Sequence, residues 1–125
     1  MADLKEKGIA LLSTTTIALN ANADTTLYTV PTGKRCVLTH AILVAGADAG
    51  TTEISIGADG AETDFIPINT LSNVNAQYDV AILVPQPSLT GIGQKSYAAA
   101  TVIQAQVTQQ AGGASNTIYL YGFLY

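Results

Sequence analysis

The sequence predicts an all-β fold, a two-sheet antiparallel β-sandwich of about eight strands with jelly-roll-like organisation. Three observations carry this. Short runs rich in Thr and branched apolar residues recur at regular spacing. Clusters of Gly, Asn, Asp and Pro separate them. No stretch sustains helical periodicity over a full helix. An immunoglobulin-like sandwich is the main competitor, but it usually carries a core tryptophan and this chain has none.

Residues 1–7 are polar and of mixed charge and read as a mobile N-terminal arm, leaving 8–125 as one β domain. The first strand falls within Ile9 to Leu19 and ends at the turn cluster 20–24. Thr25 to Val30 forms the second. Val30-Pro31-Thr32-Gly33 fits a tight turn with proline second and glycine fourth. Lys34 to Ala45 is the third strand, with Cys36, Leu38, His40, Ile42 and Val44 on one face and Val37, Thr39, Ala41 and Leu43 on the other. Both faces are largely apolar, which predicts a central strand covered on both sides.

Thr51 to Ile56 is the fourth strand, joined through the Asp59-Gly60 hairpin signal to a fifth at Thr63 to Asn69. Pro67 cannot donate to a ladder, so the fifth strand belongs at an edge or a bulge. The sixth spans Ala76 to Val84 and stops before Pro85 and Pro87. Leu89 to Gln94 reads as a loop. Ser96 to Gln109 is the seventh strand, with a possible helical turn at Tyr97 to Ala100. Ala111 to Asn116 is expected as a hairpin loop before the last strand, Thr117 to Tyr125.

Composition narrows the function classes. Charged residues make up only 11% of the chain, less than half the usual quarter, so copies repel one another little. This fits either a Thr-rich β surface or a surface buried against other subunits. The net charge is −4, and no basic residue lies between Arg35 and Lys95. A basic stripe with interleaved aromatics is missing, which argues against direct nucleic-acid binding. No apolar run is long enough for a bilayer, and the start has no apolar signal-peptide core. Synthesis in the cytoplasm, with the single Cys36 reduced and buried, is therefore expected.

Chemistry-bearing groups are few. His40 is the only histidine. Four strand positions put it about 13 Å from Cys36, too far for a direct dyad. Asp59, Glu62 and Asp64 gather near a turn, which reads as a solvated acidic turn or an incidental calcium site. Gly91-Ile92-Gly93 is too short for a phosphate-binding loop. Neither a catalytic site nor a cofactor site is expected.

The last strand is the most informative element. Tyr119, Tyr121, Phe123 and Tyr125 alternate strictly with Ile118, Leu120, Gly122 and Leu124. Each aromatic can bury roughly 150–250 Å², more in sum than a soluble monomer normally exposes. The aromatic side is either a core stripe or an interface. The interface assignment puts Ile118, Leu120 and Leu124 in the core and Tyr119, Tyr121 and Tyr125 in contact with a neighbour, with Phe123 ambiguous.

The segment Thr26-Leu27-Tyr28-Thr29-Val30-Pro31-Thr32-Gly33-Lys34-Arg35-Cys36-Val37-Leu38-Thr39-His40-Ala41-Ile42-Leu43-Val44 resembles small β-sandwich virion proteins of tailed bacteriophages, such as capsid decoration (cement), head-completion and tail-associated proteins. Ile54-Ser55-Ile56-Gly57 before an Asp-Gly turn is similar to them as well. The resemblance carries over no catalytic residue. It implies a virion protein that works by assembly: a decoration protein clamping the major capsid protein lattice, with a homo-oligomer, most simply a trimer, as its active form. A head–tail connector or a tail or receptor-binding module is the alternative, and a carbohydrate-binding jelly roll outside phages is a second.

Overall fold

A computed structural model of the chain describes residues 8–85 and 96–125. The expected arm at 1–7 and the whole of the expected loop at 89–94 lie outside the described residues. The described chain is all β, with strands β1 (Ala10–Ile17), β2 (Asp24–Thr29), β3 (Cys36–Val44), β4 (Glu53–Ala58), β5 (Ala61–Thr70), β6 (Val80–Leu83), β7 (Ser96–Tyr97), β8 (Val102–Gln109) and β9 (Asn116–Leu124). They form two antiparallel sheets. The front sheet runs β1-β9-β3-β6, with β7 also pairing β3, and the back sheet runs β2-β8-β4-β5. Among the described residues no helix is long and apolar enough to cross a membrane.

The alternation read from the sequence decides what lies between the sheets. From the front come Leu12, Ile17, Leu38, Ala41, Leu43, Ile118, Leu120 and Leu124, and from the back Leu27, Ile54, Ile56, Ile66, Ile103, Ala105 and Val107, all buried. β9 lies between β1 and β3, so the last strand is the middle of its sheet. At Gly122 the packing is tight enough that a Cβ would strike the Val37 carbonyl oxygen and the Leu12 side chain. A one-residue slip of β9 would put its aromatics in this space, and Gly122 leaves no room for them.

Several boundaries differ from the expectation. The seventh strand is two, because Ser96–Tyr97 pairs with β3 in the front sheet and Val102 begins in the back. Between them the chain turns sharply: Thr101 N donates to Ala98 O and Ala100 takes φ 68°, so the expected helical turn is a crossing between sheets. The turn after β2 sits one residue later than predicted. Lys34 N donates to Pro31 O at 3.3 Å, and Gly33 is its third residue, with φ 77°. The sixth strand starts only at Val80. Before it the Asp79 carboxylate accepts from Asn75 N and Ala76 N, which folds that stretch into a turn.

The loop 111–116 is not a hairpin, since β8 and β9 lie in different sheets. Asn116 anchors the crossover: its buried amide donates to Ile17 O at 3.1 Å and Gly113 O at 2.9 Å, and its oxygen accepts from Gly46 N. The Asp59-Gly60 hairpin forms as expected, with Ala58 paired to Ala61 and Gly60 at φ 85°. Pro67 lies on the edge strand β5, where the pairing with β4 is irregular.

Because Leu120 is wholly buried in the centre of the front sheet, Leu120→Ala is expected to lower stability by about 2–5 kcal/mol, read from the denaturant midpoint at unchanged slope.

Candidate functional site: the outer face of the front sheet

β9 places its side chains as the interface assignment requires. Ile118, Leu120 and Leu124 point into the core, whereas Tyr119, Tyr121 and Phe123 lie half-buried on the opposite face and Tyr125 is exposed. The strand register lays the outer face out in rows. Thr16, Thr117, Val44 and Val80 form one; Thr14, Tyr119, Ile42 and Ile82 the next; Leu11, Tyr121 and His40 a third; Phe123 and Val37 a fourth. The most open of these are on the edge strand: Ile82 is 67% exposed and Val80 54%, with Val84 just beyond at 53%.

A bulge brings His40 to this face. β3 slips register between Leu38 and His40 against β9, so Thr39 is the extra residue. Cys36 and Leu38 stay inside, while His40, Ile42 and Val44 emerge outside with Val37. This overturns the expected shared face of Cys36 and His40. β3 is central as expected, between β9 and β6, but its outer side chains Val37, His40, Ile42 and Val44 are half-buried where its inner ones are buried. The His40 ring stacks on Tyr121, with centroids 4.6 Å apart and planes 5° from parallel. Thr39 Oγ1 lies 3.1 Å from His40 Nδ1.

At one end of the face Tyr125 is tied down. Its hydroxyl is 2.7 Å from Ser96 Oγ, and the Arg35 guanidinium donates to the same Ser96 oxygen at 3.1 Å. These partners, Ser96 first and Arg35 second, hold the Tyr125 phenol below its usual range. Phe123 packs obliquely against it, with centroids 6.3 Å apart.

Charge is divided between the two sheets. β1, β3, β6, β7 and β9 contain no Asp, Glu, Lys or Arg. The back sheet carries Asp24, Glu53, Glu62 and Asp64. Its acidic turn is held by protein donors: the Gln104 amide donates to both Asp59 and Glu62, and Glu62 also accepts from Gly60 N. Those hydrogen bonds, the Gly60 backbone first, lower the Glu62 pKa. Asp64 accepts from Tyr97 Oη at 2.8 Å and from Ala58 N at 3.1 Å, filling the irregular stretch of the β4–β5 ladder and fastening one sheet to the other. Burial, followed by this bond to Asp64, raises the Tyr97 phenol. Nothing in the local sequence around Tyr97 signals this clamp, because its partner is 33 positions away.

Among the described residues no group of three or more His, Cys, Asp or Glu side chains is placed to hold a metal ion. Two shallow hollows, about 260 and 360 Å³, are lined by Asn69 to Leu83 residues and by Asn22, Asp24 and Gln106 with their neighbours. Neither lining includes an aromatic ring or a nucleophile paired with a base.

No protein-family model matches the chain, and no curated protein matches it in sequence. A solved structure does match in fold. It is a chain of the cyanophage Pam1 capsid asymmetric unit, with a TM-score of 0.53 and 14% identity over 93% of this chain and 86% of that one. At that identity the likeness is one of architecture, and it spans both sheets rather than one motif.

Burial raises the Cys36 thiol to about 11. A raised thiol pKa keeps the neutral form in the fold below pH 9, and that contribution is lost as pH rises toward 11. The native protein at pH 8 is therefore expected to resist a thiol reagent such as iodoacetamide, with labelling at Cys36 only after denaturation; fast native labelling would contradict the burial of this side chain.

Proposed function

We propose that the chain is a structural component of a tailed-phage virion, most specifically a capsid decoration protein that stabilises the capsid lattice through protein–protein contacts. The observation that carries this reading is the architecture. A front sheet ordered β1-β9-β3-β6 over a back sheet ordered β2-β8-β4-β5 is the winding of a jelly roll, a fold used by viral capsid domains. The same fold extends over nearly the whole of a chain from a cyanophage capsid. The resemblance of Thr26 to Val44 to small virion proteins points the same way.

Fold alone does not fix function, so the site has to supply the rest. It offers a broad uncharged face rich in Tyr, Val and Ile, the composition of an interface core. His40 spends its ring on Tyr121 rather than facing a nucleophile. The work of this chain is assembly and not turnover. Its partner of choice is the major capsid protein, and its place is the virion.

Quantitative mass spectrometry of purified particles tests this. The expected result is a fixed ratio of this chain to the major capsid protein, on the scale of the lattice. A few copies per particle would instead support the connector or tail alternative, and absence from the particle would overturn the reading.

A further inference from the structure

We infer that the outer face of the front sheet is covered by the same face of further copies of this chain, so that the protein self-associates through Tyr119, Tyr121, Ile42, Ile82 and their row neighbours. This goes beyond the virion reading and stands without it.

The first argument is charge. The chain carries a net charge of −4, which opposes self-association. The carboxylates borne on described strands all lie on the back sheet, and the strands of the front sheet carry no Asp, Glu, Lys or Arg. Two back sheets would set Asp24, Glu53 and Glu62 against their own kind. A front face against a back face would strip water from acidic groups with no cation over most of the area to receive them, because no Lys or Arg stands within the front strands and Arg35, at one end, already holds Ser96. Front against front, over the rows from Thr16 to Tyr121, buries no Asp, Glu, Lys or Arg, and leaves Arg35 at the rim. A second copy of this face is the surface of matching chemistry that this chain itself provides.

The second argument is area. The four front strands β1, β9, β3 and β6 are eight, nine, nine and four residues long, and lie about 4.8 Å apart with about 3.4 Å per residue. That is about 500 Å² in projection and more once side-chain relief is counted, which approaches the roughly 800 Å² that each partner contributes to a standard interface. The face is also well made for burial. The tyrosine hydroxyls and Thr14, Thr16 and Thr117 give it hydrogen-bonding groups at intervals, so its rings can be buried without stranding a charge. Its most exposed members, Val80, Ile82 and Val84, sit at the β6 edge, where lysine or another charge would ordinarily discourage association and none stands on the strand. A twofold pair brings this face wholly against itself, and a threefold ring brings one half of it against the other half of a neighbour's.

The test is analytical ultracentrifugation of the purified full chain, which needs no capsid and so fails or succeeds independently of the virion reading. A single chain is 12.9 kDa. At about 100 μM the expected species is a dimer or trimer. Ile82→Glu, at a side chain already open to solvent, is expected to weaken association at least tenfold while circular dichroism and thermal midpoint stay near the parent values. Tyr121→Ala is expected to weaken it too. Thr26→Glu, which adds the same charge on the back sheet, should leave the mass unchanged. A monomer at this concentration would overturn the inference and leave the face to a different partner. So would an oligomer that survives both Ile82→Glu and Tyr121→Ala.

Discussion

The structure depends on the position of β9. It pairs with β1 on one side and β3 on the other, and both neighbours shift register by one residue, at Leu11/Ser13 and Leu38/His40, to keep their apolar side chains facing inward beside it. The aliphatic half of β9 meets the back sheet and builds the core; the aromatic half is left outside. Because the side-chain period of a strand is two, these are a single choice. Gly122 enforces it, since the Val37 carbonyl and Leu12 stand where any larger side chain would go. The Asn116 amide, bonded to Ile17 O, Gly113 O and Gly46 N, fixes where the strand begins.

How much of this was legible in the sequence follows from how local each feature is. The Ile118/Leu120/Leu124 and Tyr119/Tyr121/Phe123 faces could be read because β9 runs without a bulge of its own. The Asp59-Gly60 hairpin could be read because its turn chemistry lies in adjacent residues. β3 misled for the opposite reason. The extra residue at Thr39 is imposed by its pairing with β9, and beyond it every alternation is inverted, which carried His40 out and Ala41 in. The break between Tyr97 and Val102 was hidden as well. Tyr97 stays with the front sheet to reach Asp64, and only the three-dimensional pairing shows that the next strand belongs to the other sheet. The candidate face was legible as one strand and illegible as a surface, because its Val80, Ile82 and Leu11 come from strands whose neighbours the sequence does not specify.

Charge segregation in this sandwich is more informative than its low charge. A chain with few ionisable groups could scatter them evenly and remain unremarkable in solution. Here the strands of one sheet hold no Asp, Glu, Lys or Arg, while the other gathers acids and neutralises part of their cost with Gln104 and backbone donors. A Thr-rich acidic surface and an uncharged aromatic surface are thus two sides of one molecule. The back face, with Thr26, Gln106 and its acids, suits water; the front face, with its tyrosines and branched apolar groups, suits another protein.

That arrangement also settles which associations are discouraged. An apolar sheet face on its own attracts indiscriminately, and an uncharged edge such as β6 adds to the hazard. Two features limit this. The rings on β9 are not free hydrophobes: Tyr121 is held flat against His40, and Tyr125 is held by Ser96, so the surface has a set shape that a partner must match. The acidic back sheet repels its like and penalises a front-to-back stack, which is the contact that would propagate without closing. If front faces pair as inferred, a sandwich neutral on one side and acidic on the other favours closed assemblies over open ones, with specificity coming from where the charges are absent as much as from where they stand.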